Sequence, residues 1–267
     1  MLRMSRLKRL YGGVNLTLFS LVMVFLYIPI LILVIFSFND AKVVTSWRGF
    51  TFEYYAKLWQ NDAIKEALRN TLLVAGLSTL ISTVLGVLTA LGLENKRFKG
   101  RQGLLALIYT PLVIPDILMG VSLALLFNFT RVNTGMFTVL IAHITFCVSY
   151  TVIVIQSRLA GFDYSLVEAA ADLGAKPAAI FLKIKLPLIM PGIIAAALLA
   201  FTLSIDDFII TFFTSGRGFD TLPIYVEGTI RRGAITTINS LSTLMIGFTL
   251  FLVVVTKRIR KTLISSL

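Results

Sequence analysis

The sequence predicts an all-α, polytopic membrane protein with six transmembrane helices and both termini in the cytoplasm. Three observations carry this. Of 267 residues, 57% are apolar and 14% charged, with a mean hydropathy of +0.89; a soluble domain has about 25% charged and about 45–50% apolar residues. Six stretches are long and apolar enough for a hydrocarbon core of ~30 Å, which takes ~20 helical residues to cross. The basic residues fall between those stretches in short blocks, weighted to one side. A soluble enzyme is excluded by the composition. One cysteine, Cys147, and one histidine, His143, leave no intramolecular disulfide framework and no His-based metal cluster.

The spans lie near 14–38, 68–93, 104–128, 136–156, 191–213 and 239–256. The first follows Arg3, Arg6, Lys8 and Arg9. It exceeds a signal-peptide h-region, and Ser37-Phe38-Asn39 is not a small-x-small cleavage site, so it reads as a retained anchor. With the N-terminus inside, the other cytoplasmic blocks are Lys96, Arg97, Lys99 and Arg101, then Arg158, Lys176, Lys183 and Lys185, then Lys257, Arg258, Arg260 and Lys261. These blocks and the N-terminal one hold 16 of the 25 basic residues, and this bias sets the orientation. The net charge of +12 therefore describes juxtamembrane clusters that meet anionic lipid, and argues against a nucleic-acid partner. Outside, residues 39–70 carry Trp47, Tyr54, Tyr55 and Trp59, which predict a short interfacial helix, resting on lipid or touching an external partner. The outer loop from Thr214 to Ile238 holds Gly216, Gly218, Pro223, Gly228 and Gly233 and reads as turns.

Between spans four and five runs GFDYSLVEAAADLGAKPAAIFLKIKLPLIMPG, Gly161 to Gly192. Ser165 and Glu168 have capping-box spacing, so a helix is expected from Leu166 to Leu173. Gly174 would end it in the left-handed conformation. Pro177 suits the first residue of a second helix, expected to stop before Pro187. The product is a cytosolic helical hairpin with a low alanine face. Glu168-Ala169-Ala170, Gly174, Ile184 and Leu186-Pro187, at their spacing, resemble the EAA loop of bacterial ABC importer permeases. The resemblance implies that this loop, about 157–190, is a coupling helix docking on an ATPase subunit. It assigns that contact to Glu168, Ala169, Ala170, Gly174, Ile184, Leu186 and Pro187. The chain has no G-x-x-x-x-G-K-[ST] loop to cradle nucleotide phosphates. It is therefore expected to be a permease rather than an enzyme, with no cofactor of its own and ATP and Mg on partner ATPase subunits.

Three acids fall within spans: Asp116 in TPLVIPDILMG, and Asp206 and Asp207 in FTLSIDDFII. Each costs ~2.5–3.5 kcal/mol at a helix centre on insertion scales, so an unpartnered set costs on the order of 8–10 kcal/mol. Ionised carboxylates at different depths would form a stepped path for a cation and repel anions. Pro111 and Pro115 are tolerated where a helix lines a cavity or packs on protein. Both acidic sites, with SWRGFTFEYY at Ser46–Tyr55 and SRLAGFD at Ser157–Asp163, are similar to spermidine/putrescine importer permeases, most closely the second permease subunit. That resemblance implies a heterodimer of permeases, two ATPase subunits and an extracytoplasmic polyamine-binding protein, in a bacterial cytoplasmic (inner) membrane. The chain then reads as one permease domain over 1–267, with an anchor about 14–38 and a core about 68–256. A permease for ferric ion or another small solute, and a proton-coupled secondary cation transporter, are the alternatives. His143 and Cys147 share a helix face and are too few for zinc, so both are expected to pack. Gly76, Gly86 and Gly92 would allow close helix approach in span two, without GxxxG spacing.

Overall fold

The computed structural model of the chain describes residues 2–41, 46–94, 99–232 and 235–265. Lys96, Arg97 and Gly233 lie outside the described residues, as do the side chains of Arg3, Arg6, Lys8, Arg9, Lys257, Arg260 and Lys261. Among the described residues the fold is helical with no strand, and Asn39 and Phe50 form an isolated antiparallel bridge. The helices are α1 (Leu2–Phe36), α2 (Glu53–Gln60), α3 (Asp62–Glu94), α4 (Arg101–Val113), α5 (Asp116–Phe129) and α6 (Met136–Ala160). They continue with α7 (Ser165–Asp172), α8 (Pro177–Ile180), a π-helical turn at Phe181–Lys185, α9 (Leu186–Ile205), α10 (Ile209–Thr214), α11 (Leu222–Arg231) and α12 (Ile235–Ser265).

Among the described residues, four helical stretches are long and apolar enough to cross a membrane: Asn15–Phe36, Asp62–Glu94, Met136–Ala160 and Pro177–Ile205. The third expected span, 104–128, is not one rod. It breaks between α4 and α5, which bend by 114°. Pro115 causes this: it forces Ile114 into extended backbone (ψ 130°) and donates no N–H, whereas Pro111 is absorbed inside α4. The fifth expected span also differs. Its helix starts earlier, at Pro177, and stops at Ile205, so Asp206, Asp207 and Phe208 form a break before α10. The sixth contributes a shorter apolar stretch, Thr237–Phe251, within α12.

The chain divides into two compact units. One comprises Met1–Asn61 and Gly228–Val253. Here α1 exposes its apolar side chains along Leu16–Ile35, as a lipid-facing helix does. Beyond it, Phe38 stacks on Phe50 (5.3 Å) and tilts against Tyr55 (5.2 Å). Buried Asn39 staples the loop by accepting the Arg48 N–H and donating to the Ser46 carbonyl, both at 2.8 Å. The short helix expected in this loop is α2, and its Trp59 is 82% exposed. Ser240 donates to the Ser37 carbonyl (3.0 Å), tying α12 to the end of α1.

The other unit comprises Asp62–Glu227 and Val254–Leu267. Its centre is α3, α6 and α9, which bury Ala90, Ile155, Leu159, Ile189 and Ala196 together. In lipid such packing rests on close backbone approach and interhelical hydrogen bonds, because apolar side chains gain little by leaving hydrocarbon. Gly86 supplies the approach: a Cβ there would sit 2.3 Å from Thr151 Oγ1. Thr151 supplies the bond, donating to the Ser82 carbonyl (2.9 Å). Gly76 and Gly92 face open space. Met119, Ala142, Phe146, Cys147, Ala200 and Ile210 join α5, α6, α9 and α10 in a second cluster. The outer segment expected as turns contains a helix, α11, because Leu222 and Pro223 open a helical run; Gly216 (φ 70°) and Gly218 (φ 84°) do make the turn before it.

Candidate translocation site and coupling hairpin

Asp116 and Asp207 stand at helix starts. Asp116 is the first residue of α5, released by the break at Pro115, and its carboxylate is exposed with no partner among the described residues. Asp207 precedes α10 and accepts the backbone N–H groups of Thr211 (2.8 Å to Oδ2) and Ile210 (3.4 Å to Oδ1). It thereby does for α10 what an N-cap side chain does, satisfying N–H groups the helix leaves free. Asp206, at the C-cap of α9, is exposed with no partner among the described residues. The positive end of the helix dipole favours the anions at Asp116 and Asp207, which lowers their cost within an apolar run.

The two acidic sites belong together. Gly120 lies against Ile210 and Phe213, while Thr134, past the end of α5, meets Gly216, past the end of α10. Asp116 lies one turn before Gly120 and Asp207 three residues before Ile210, so both acidic sites lie close to this contact of α5 with α10. Asp206 and Asp207 both sit in the break between α9 and α10, where Asp206 is exposed and Asp207 partly buried.

Behind Asp207 lies a feature the sequence did not disclose. Its Oδ2 is 2.7 Å from Thr211 Oγ1, which is 2.8 Å from His143 Nε2. His143 Nδ1 is 2.7 Å from Ser204 Oγ, which in turn is 3.0 Å from Ser78 Oγ. His143 is 1% exposed, and its Nε2 also lies 3.4 Å from Asp207 Oδ2. It is the hub of a polar chain across α3, α9, α6 and α10, rather than the packing residue the sequence suggested. Cys147 does pack: it is buried, with Sγ 3.6 Å from the Ala200 carbonyl.

At the other candidate site, α7 and α8 form the expected hairpin with a different N-terminus. Ser165 is already helical, and the capping box with Glu168 is not made. The Asp163 carboxylate takes the Ser165 N–H instead (3.0 Å). These hydrogen bonds from Ser165 hold the Asp163 carboxyl below its usual range. The C-terminus is as expected. Gly174 has φ 79°, with Gly174 N–H on the Ala171 carbonyl (2.9 Å) and Ala175 N–H on the Ala170 carbonyl (3.0 Å), the Schellman pattern. Pro177 is the first residue of α8 behind the extended Lys176. Pro187, however, does not stop the helix. The π turn at Phe181–Lys185 carries the chain into α9, so Pro187 falls in a first turn, where it needs no N–H partner.

None of the α7 side chains is buried, and Leu173 is 88% exposed. The hairpin is anchored through Glu94 at the end of α3, which accepts the Tyr164 hydroxyl (2.6 Å) and pairs with Lys185. Partial burial, the hydrogen bond to Glu94 and the Glu94 charge push the Tyr164 phenol up to about 12. Of the EAA residues, Glu168, Ala169, Ala170 and Gly174 lie on or just past α7; Ile184, Leu186 and Pro187 lie in the π turn and the start of α9.

Broken helices with ionisable residues at the breaks, and an exposed helical hairpin at the far end of α9, fit a membrane-embedded transport component. The family described as binding-protein-dependent transport system inner membrane component matches residues 82–266, and the chain belongs to it; it is a multi-pass membrane protein and a transport subunit. The spermidine/putrescine transport system permease protein PotC of Haemophilus influenzae is 39% identical over 89% of this chain and 92% of its own length. The putrescine transport system permease protein PotI of Escherichia coli K12 is 44% identical over 84% of this chain and 82% of its own. A bacterial ABC transporter that imports the acidic polysaccharide alginate superposes with a TM-score of 0.76 at 18% identity, covering 94% of this chain and 96% of the other. The fold is thus that of ABC transporter membrane subunits.

Proposed function

We propose that this chain is one of two homologous permease subunits of an ABC importer that moves polyamines into the cell by alternating access. Its partners are the second permease, two ATPase subunits that carry ATP and Mg, and an extracytoplasmic polyamine-binding protein. The membrane is the bacterial cytoplasmic (inner) membrane, crossed six times with both termini inside. The whole chain, 1–267, is one permease domain in this reading.

The observation that carries the cargo reading is the placement of Asp116, Asp206 and Asp207 close to the contact of α5 with α10. Polyamines are elongated polycations, and ionisable groups in membrane segments face partners or aqueous paths rather than lipid. The exposed carboxylates of Asp116 and Asp206 therefore face a partner subunit or the substrate. The names of the relatives support the same cargo. On the cytoplasmic side, the exposed Leu166, Leu173 and alanine surface of α7 suits the close approach of an ATPase subunit, with Glu168, Ala169, Ala170, Gly174, Ile184, Leu186 and Pro187 in or beside that contact.

The test is uptake of labelled putrescine and spermidine by vesicles holding the complete complex with the binding protein. Uptake should require hydrolysable ATP, and Asp116→Asn should lower it by about tenfold or more, the scale of one lost contact to a charged group. Uptake driven by a proton gradient without ATP would overturn the reading.

A further inference from the structure

We propose that His143 is a positioning residue for the transported cation: through Thr211 it fixes the Asp207 carboxylate so that Oδ1 remains available to an ammonium group. This rests on the reading of Asp207 as part of the polyamine path.

The argument follows the hydrogens. An ionised carboxylate only accepts, so the Thr211 hydroxyl donates to Asp207 Oδ2 at 2.7 Å. A hydroxyl has one hydrogen, so the 2.8 Å contact with His143 Nε2 is a donation from the ring N–H to Thr211. In the neutral imidazole Nδ1 is then an acceptor, and takes the Ser204 hydroxyl at 2.7 Å. Ser204 Oγ accepts in turn from Ser78 at 3.0 Å. Ser78 Oγ also has a longer contact with the Ala75 carbonyl (3.3 Å); from Ser204 onward every hydrogen points toward Asp207, and each bond strengthens the next by polarisation.

The chain is also asymmetric at its end. Oδ2 takes the Thr211 hydroxyl and the Thr211 N–H, whereas Oδ1 has a single long contact, the Ile210 N–H at 3.4 Å. The side chain keeps 10% of its exposure. One oxygen is fully engaged in holding the group still, and the other retains its acceptor capacity. A buried imidazole, three hydroxyls and a polar cost of this size are not needed to fill space. Leu in place of His143 would do that.

The experiment uses the complete importer in vesicles, reading the KM and maximal rate of putrescine uptake together with ATP hydrolysis. His143→Leu removes the donor and acceptor at similar volume. Thr211→Val removes the next link while keeping shape, and remains informative if the Leu variant fails to assemble. Each should raise KM about tenfold, equal to about 1.4 kcal/mol, with ATP hydrolysis retained. The double variant should be little worse than either single one, because both break one chain. His143→Gln, whose amide N–H still reaches toward Thr211, should recover part of the loss. An assembled Thr211→Val complex with unaltered KM overturns the proposal. Asp207→Asn separates the two readings. If it leaves KM unaltered, the placement of Asp207 on the path fails, and this inference with it. If it raises KM while His143→Leu and Thr211→Val do not, only the present inference fails.

Discussion

At Gly86 the absence of a single carbon decides how closely two membrane helices meet. Thr151 Oγ1 occupies the space a Cβ would take, and its hydrogen bond to the Ser82 carbonyl depends on that approach. Gly86→Ala must therefore part α3 from α6 or turn Thr151 away. Overpacking of this kind costs about 1–3 kcal/mol. The expected outcome is a lower thermal unfolding temperature in detergent, with Thr151→Ser at the same contact milder because it keeps the donor. The acids obey the same local logic. Asp207 is stabilised by N–H groups and a hydroxyl, so its retention needs no exotic environment. Asp116 and Asp206 lack such partners within the described residues and are exposed; in the proposed reading they face the cargo or a partner subunit. Sequence alone reached the three acids, because charge in an apolar run is conspicuous. It could not reach the hub at His143. A lone imidazole on an apolar helix looks the same whether it meets leucine or serine across the gap, and Ser78, Ser204 and Thr211 are scattered over 133 positions in the chain (Ser78 to Thr211).

Among elements, the hairpin was the most legible. Gly174, Pro177 and the alanines prescribe its turn and its second start, and the structure follows them. The capping box is not made because the helix starts one residue early, with Ser165 inside it, and Asp163, two residues before Ser165, takes the N–H that Glu168 would have accepted. The early stop at Pro187 failed because proline breaks a helix only where its missing N–H and ring have no accommodation. The π turn provides it. How the hairpin holds to α3 was invisible in sequence, since Glu94, Tyr164 and Lys185 meet only in space. An acid at a helix C-terminus opposes the helix dipole, and Tyr164 and Lys185 offset that. Glu94→Gln should leave ATP hydrolysis in place while lowering uptake per ATP several-fold, as a loosened joint would. The exchange Glu94→Lys with Lys185→Glu should restore it. The phenol checks the same joint. Its folded value, about 12, lies above the ordinary ~10, so the folded state binds the proton more tightly. The stabilisation is complete below pH ~10 and is lost as pH rises toward about 12. In Glu94→Gln, tyrosinate absorbance should place Tyr164 nearer its ordinary value, with Tyr164→Phe identifying the signal.

On the scale of the whole molecule, composition and charge were enough to read a helical membrane protein, while the continuity of its helices was not. The long unbroken stretches, Asp62–Glu94 and Met136–Ala160, carry neither proline nor acid in mid-span, and hydropathy alone finds them. The broken ones depend on what Pro115 and Asp206–Asp207 do once neighbours supply their partners. Topology is open to a direct check because the native thiol, Cys147, is buried and leaves a quiet background for labelling. Cysteine introduced at Leu173, 88% exposed, should react with a membrane-impermeant maleimide only from the cytoplasmic side. Cysteine at Trp59, 82% exposed, should react only from outside. Leu173 labelled from outside and Trp59 from the cytoplasm would reverse the sidedness inferred from the basic blocks, and labelling of both from one side would overturn the crossings between them.

The π turn at Phe181–Lys185 has one more consequence. An α-helix ties how far its end reaches to which way that end points, since each residue adds ~1.5 Å and about 100° together. A widened turn slips one extra residue into the screw and breaks that bond between reach and bearing. The hairpin and α9 can then each keep its own compass heading although one continuous rod of chain joins them.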